Sequence, residues 1–165
     1  MVRRVFNVLF LCTGNSARSI MAEAILSKEA GHKMRAFSAG SHPTGDVHPL
    51  ARELLLRRGH DVSHMRSKSW DEFAAPGAPQ LDVIITVCDN AANETCPVMP
   101  GHPMTVHWGV SDPAAVQGSE AARRAAFLKA YDVLARRTAH FSALDFDGLD
   151  QEQLLKSLQE IGQST

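Results

Sequence analysis

The chain has no uninterrupted apolar run near the roughly 20 residues that a membrane span requires; its longest, 5–12, is broken by Asn7. Neither sign of charge dominates. Seventeen Lys and Arg against eighteen Asp and Glu leave a formal net charge of −1 over 165 residues, which offers no electrostatic footprint for nucleic acid or an anionic membrane. Cysteine is scarce and odd in number, three in all, which argues against a disulfide framework of the secreted type. Internal repeats, low-complexity tracts and linkers are lacking as well. The basic start Met1-Val2-Arg3-Arg4 precedes an apolar stretch, but Phe10-Leu11-Cys12 stand where a signal peptide would need small residues. The expectation is therefore a buried strand in a cytoplasmic protein. With 44% hydrophobic and 21% charged residues, the chain is expected to form one domain over 1–165, with a core over about 4–142 and a terminal helix over 149–162.

What is present is an alternation of strands and helices. Residues 5–11 and 81–87 are apolar enough for central strands, and 34–38 and 104–108 read as shorter ones. Helices are expected over 19–30, closed by Gly31, and from Pro49 with Leu50, Leu54 and Leu55 inward. A long helix over 119–141 carries Phe127, Tyr131, Leu134, Thr138 and Phe141 on one stripe. The terminal helix is expected over 150–161, with Asp150 as its cap, Gln153 three residues on and Gly162 as its stop. Such alternation implies an α/β fold, an open four-stranded parallel sheet flanked by helices.

Ligands of open α/β sheets sit beyond the carboxyl ends of the strands. Cys12 follows the first strand, Cys88 follows 81–87, and Asp112 comes shortly after 104–108. Three chemically able residues thus share one sheet edge. The loop Cys12-Thr13-Gly14-Asn15-Ser16-Ala17-Arg18-Ser19 joins strand to helix, a geometry that turns backbone N–H groups inward as an anion cradle. Gly14 and Asn15 suit the left-handed angles of such a loop. Arg18 can close it with a bidentate contact to a tetrahedral oxyanion. The same field would favour a Cys12 thiolate, with Ser19 and Ser16 able to donate to the sulfur. A plain buried cysteine beside a capping turn is the competing reading.

The segment VLFLCTGNSARSIMAEAIL closely resembles the Cys-x5-Arg-Ser phosphate loop of the low-molecular-weight phosphatase fold, and within that fold the thiol-dependent arsenate reductases. The likeness runs from about Val5 to Asp112-Pro113-Ala114. It implies a phosphatase-like fold with an extra C-terminal helix, and an oxyanion site made of Cys12, Thr13, Gly14, Asn15, Ser16, Ala17, Arg18 and Ser19. It does not by itself separate phosphatase from reductase.

Cys88 and Cys96 bear on that choice. In a continuous helix their sulfurs would lie about 12 Å apart along the axis, whereas a disulfide needs Cα atoms within roughly 7 Å. Pro97, Pro100 and Gly101 favour a mobile segment. Three readings stand: unrelated buried cysteines, a metal site completed by His102 or His107, or a redox pair. The resemblance implies the last, since thioredoxin-coupled arsenate reductases carry such a pair and a later His-Trp-Gly, here His107-Trp108-Gly109. Catalysis would then rest on Cys12, Arg18, Cys88, Cys96 and Asp112, with Cys12, Cys88 and Cys96 as a thiol relay and Asp112 as the acid that protonates the leaving oxygen. The alternative for Asp112 is a turn cap before Pro113. Ala114 stands where phosphatases of this fold usually carry a substrate-gripping tyrosine.

Some reductases of the family hold a potassium ion at positions matching Asn15, Glu23, Ser38 and a further acid; the last falls at Ser67-Lys68-Ser69 here. The expectation is that the Lys68 ammonium takes the cation's place against Glu23 and that no metal binds. His42, His48, His60, His64, His102, His107 and His140 show no ligand spacing and read as surface or loop residues. No cofactor is implied. The expected partners are arsenate, mimicked by phosphate or sulfate, and thioredoxin or glutaredoxin as electron donor, with no nucleic acid and no membrane. A tyrosine phosphatase using Cys12 alone, and a non-catalytic oxyanion-binding or sensing module, remain the rival readings.

Overall fold

The computed structural model describes residues 5–89, 99, 101–146 and 148–163. In chain order these form β1 (Phe6–Cys12), α1 (Arg18–Ala30), β2 (Met34–Gly40), α2 (Pro49–Arg57), β3 (Val83–Thr86), β4 (Met104–His107), α3 (Glu120–Ser142) and α4 (Gln151–Gln163), with 3-10 turns at Trp70–Phe73 and Pro113–Ala115. The strands make one sheet in the order β2-β1-β3-β4, every pairing parallel, as the alternation of elements implies. No described helix is long and apolar enough to cross a membrane.

β1 is central because its residues can be buried on both faces. Val8, Phe10 and Cys12 join the larger core with α1, α3 and α4, while Leu9 and Leu11 join a smaller one with Ala39, Phe73 and Ile84. Period-two alternation along one strand thus feeds two layers. α1 is buried almost continuously from Ser19 to Leu26. The stripe read for α3 is buried as expected, joined by Ala130 and, against its polarity, by Arg137. Phe10 and Phe141 pack on Trp108, with ring centroids 6.2 and 5.8 Å away; truncating so large a buried ring costs about 3–5 kcal/mol.

Boundaries differ in places. β3 is shorter than the apolar run 81–87, although Asp82 and Val87 still donate to Asn7 and Leu11 of β1. Asp150 and Gln153 cap α4 reciprocally, at 2.8 and 3.1 Å. Gly162 is not the stop it was expected to be: it lies inside α4, where an added Cβ would meet the His107 carbonyl and Trp108 Cδ1 at 2.6 Å. It is a contact point. Trp108 Nε1 donates to the Leu158 carbonyl at 2.9 Å, so α4 is docked onto the end of β4. The segment expected to be mobile, with Cys96, Pro97 and Pro100, lies outside the described residues.

Candidate active site

The loop after β1 is shaped by what accepts its carbonyls. Thr13 O accepts His42 N–H at 2.9 Å, Gly14 O accepts Thr44 N–H at 3.0 Å, and Ser16 O accepts His48 N–H at 2.8 Å. Ala17 O accepts from Met21 in the first turn of α1. In a planar trans peptide the N–H points opposite to the C=O. Carbonyls tied outward therefore turn the amides of Gly14, Asn15, Ala17 and Arg18 to the loop's other side, as an anion cradle needs. Asn15 has φ 44° and is fully buried; its Nδ2 donates to Ser19 Oγ at 2.8 Å and its Oδ1 accepts Lys68 N–H at 2.9 Å. Gly14, also expected to be left-handed, is not. It offers space instead, since a Cβ there would stand 3.3 Å from Thr44 Cγ2.

Gly40, which pairs with Cys12 across β1 and β2, makes the closest approach. A Cβ on it would lie 2.4 Å from Thr13 O and 2.8 Å from Cys12 O. Only glycine lets the loop turn back over β2 here. The sequence signal for it was no more than the end of a strand.

Arg18 closes the loop from the first turn of α1. Its Nη1 donates to Val110 O at 2.9 Å, and its Nη2 stands 3.7 Å from Asp112 Oδ2. Asp112 is a turn cap, and its other oxygen is turned toward Arg18. Oδ1 caps the turn Pro113–Ala115 by accepting Ala114 N–H at 2.9 Å. A cleft of about 430 Å³ opens here, lined by Arg18, Cys88, Asp89 and 109–112.

Cys12 and Cys88 are brought together as the sheet-edge argument requires. Both are buried. The Cys88 side chain hydrogen-bonds the Cys12 thiol, and Thr13 N–H donates to Cys88 Sγ at 3.3 Å. This pairing overturns one expectation. The Cys12 pKa is raised, not lowered: the hydrogen bond with Cys88 and burial push it up, against the pull of Arg18 and the Thr13 amide. Ser19 is buried beside the loop, and the partner its hydroxyl accepts from is Asn15. Cys96 lies outside the described residues.

Lys68 stands against Glu23 as expected. Its Nζ is 3.8 Å from Glu23 Oε1, which also accepts Ser38 Oγ–H at 2.5 Å, with both charged side chains 11% exposed. Burial lowers the Lys68 pKa, and Glu23 holds it up. Among the described residues no three His, Cys, Asp or Glu gather as a metal site would need.

The histidines were underestimated. His60 is buried, with Nε2 2.7 Å from the Tyr131 hydroxyl. His48 caps α2 by accepting Leu50 N–H at 3.1 Å, besides holding Ser16. His107 lies between Thr86 Oγ1 and Asp89 Oδ1, 2.8 Å from each. None has a local spacing that reveals it, because every one of these partners is distant in sequence or is backbone.

Loop, arginine, the Asp112 turn and two neighbouring sulfurs at one sheet edge suit a protein that handles tetrahedral oxyanions through cysteine. Residues 7–154 match the family described as Low molecular weight phosphotyrosine protein phosphatase, and the chain belongs to it. It is 36% identical over 135 residues to the arsenate reductase of Bacillus licheniformis, covering 82% of this chain and 94% of that one. Among solved structures it is similar to an arsenate reductase from Archaeoglobus fulgidus, at 28% identity and a TM-score of 0.59, over 80% of this chain and 98% of that one. It is also similar to a thioredoxin-dependent arsenate reductase of Corynebacterium glutamicum, at 26% identity and a TM-score of 0.57; that match covers 81% of this chain but only 60% of that longer one.

Proposed function

We infer that this chain is an arsenate reductase, acting in the cytoplasm as one domain over 1–165 and drawing electrons from an external dithiol protein, thioredoxin or glutaredoxin. The observation that carries the reading is the approach of Cys88 to Cys12, with Thr13 N–H donating to Cys88 Sγ, beside the loop that Arg18 closes. A phosphatase needs one sulfur at this place. A reductase needs two that can meet.

Arsenate enters the loop, held by its amides and by Arg18. The Cys12 thiolate attacks arsenic, and Asp112 protonates the oxygen that leaves as water. The incoming anion displaces Cys88 from Cys12, which removes the main cause that raises the Cys12 pKa. Thr13 N–H is placed to donate to negative charge on Cys88. Cys88 then attacks the Cys12 sulfur; the sulfur–arsenic bond breaks with its electron pair going to arsenic, arsenite leaves, and a Cys12–Cys88 disulfide remains. Cys96 attacks Cys88 and frees Cys12, and the Cys88–Cys96 disulfide takes two electrons from the donor protein. A phosphorus adduct at Cys12 has no such reductive exit. Lys68 supplies an internal positive charge to Glu23, which also accepts from Ser38, behind the loop.

The test is arsenate-dependent NADPH oxidation with thioredoxin and its reductase, or with glutaredoxin, glutathione and glutathione reductase. Turnover is expected with one of these systems, and Cys88→Ser should keep the first step while losing multiple turnover. Full turnover by Cys88→Ser would sink the relay. Hydrolysis of aryl phosphate with no arsenate-dependent oxidation would return the chain to the phosphatases, and stoichiometric binding without turnover would make it a sensor.

A further inference from the structure

The buried stripe of α3 carries one charged residue. Arg137 lies on it among Ala130, Leu134 and Phe141 and is only 5% exposed. A hydrophobic residue of similar size would fill the position without burying a charge. The guanidinium reaches the chain just after β4, where its Nη1 donates to Gly109 O at 3.1 Å. The neighbouring residue carries the catalytic arginine: Val110 O accepts from Arg18 at 2.9 Å. On the sheet side, Trp108 N–H and Val110 N–H extend the β3 pairing to Thr86 O and Val87 O, at 2.7 and 3.0 Å. Asp112 follows two residues later.

The back of this segment is not closely packed. A groove of about 440 Å³ runs between 109–113 and α3, floored by Pro113, Val116, Ala126 and Val133. Side-chain packing therefore leaves the acid loop room to shift toward α3, and polar ties decide where it rests. Gly109 itself has little freedom on the other side, since a Cβ there would come 2.9 Å from His107 Nε2.

We propose that Arg137 is a positioning residue for the acid loop: by holding the Gly109 carbonyl it sets where Val110 grips Arg18 and where Asp112 stands relative to Cys12. The proposal rests on the reading of Asp112 as the acid that protonates the leaving oxygen. It does not depend on the electron acceptor being arsenate, because the same first transfer occurs with a phosphate ester.

The experiment exploits that. Arg137→Met is compared with wild type in the single-turnover release of phenol from phenyl phosphate, a poor leaving group that needs an acid, and in the release from 2,4-dinitrophenyl phosphate, which departs unaided. A misplaced acid should slow phenol release about 10- to 100-fold, with dinitrophenol release changed by no more than about twofold. Arg137→Lys, which keeps a charged donor on the same helix, should recover part of the loss and provides the readout if the methionine variant folds poorly. Equal losses on both esters would assign Arg137 a general structural role and overturn the proposal. So would unchanged phenol release. Arsenate turnover by the wild-type protein is followed separately: its absence beside a normal ester series would remove the reductase reading and leave the Arg137 result standing.

Discussion

Replacing Gly40 with alanine tests how far the loop depends on backbone geometry. The added methyl would lie 2.4 Å from Thr13 O, 2.8 Å from Cys12 O and 3.0 Å from Asn15 Cβ. The first two are closer than real Cβ atoms come to anything, and both are backbone. The loop cannot yield easily. Thr13 O is held by His42, Asn15 is held by Ser19 and Lys68, and Gly40 N–H is itself donated to Lys68 O at 2.9 Å. Overpacking of this kind costs about 1–3 kcal/mol, a fall in melting temperature of roughly 2–12 °C for a chain of this size. The effect on function should be larger than the effect on stability, because a displacement near 1 Å at a reacting centre costs about 100-fold in rate. Melting followed by circular dichroism and turnover of arsenate or aryl phosphate, measured on one preparation, separate the two. A Gly40→Ala protein that melts lower but keeps wild-type turnover would refute the idea that the Gly40 contact shapes the cradle, and one unchanged in both would refute the steric argument itself.

Three further perturbations bear on the site. Removing the Cys88 side chain with Cys88→Ala takes away the largest cause raising the Cys12 pKa; each unit of pKa released should speed iodoacetamide alkylation of Cys12 near pH 7 about threefold, a tenfold gain in thiolate offset by lower intrinsic reactivity, and an unchanged rate would count against the coupling. Lys68→Met leaves the Glu23 carboxylate without its cation, a loss on the order of 3 kcal/mol for so buried a pair; a lower denaturation midpoint, restored in part by potassium chloride but less by tetramethylammonium chloride, is expected, and a midpoint equal to wild type would contradict it. His60 has its pKa lowered by burial and by Lys28, so the unfolded chain takes up a proton that the folded one resists. Its stability contribution is present above the ordinary histidine value of 6.5 and is lost as pH falls below it. His48 acts in the same direction. The urea midpoint should drop between pH 7 and 5.5, less steeply in His60→Gln, and parallel profiles for the two proteins would rule out this assignment.

Much of this protein is local in sequence. The strand β1 announces itself by composition, the α3 stripe by its period, and the α4 cap by the Asp150–Gln153 spacing. The Cys-x5-Arg loop is likewise a contiguous string whose chemistry follows from its residues, and the alternation of strands and helices places Cys12, Cys88 and Asp112 at one edge before any coordinates are known. Those features depend on neighbours within a few residues, where the chain has little choice.

Tertiary structure decided what depends on partners far along the chain. Cys12 is a thiol held up in pKa because a residue 76 positions away hydrogen-bonds it. His107 and His48 entered the site's surroundings through Asp89 and Ser16, and Gly162 proved a docking contact on Trp108 where its sequence position suggested only a helix stop. Arg137 has no local signal that sets it apart from the other charges of a long helix, and the fold turns it inward onto Gly109. Composition and period report what a residue tends to do alone. Charge state, burial and steric room are set by whatever the fold brings against it.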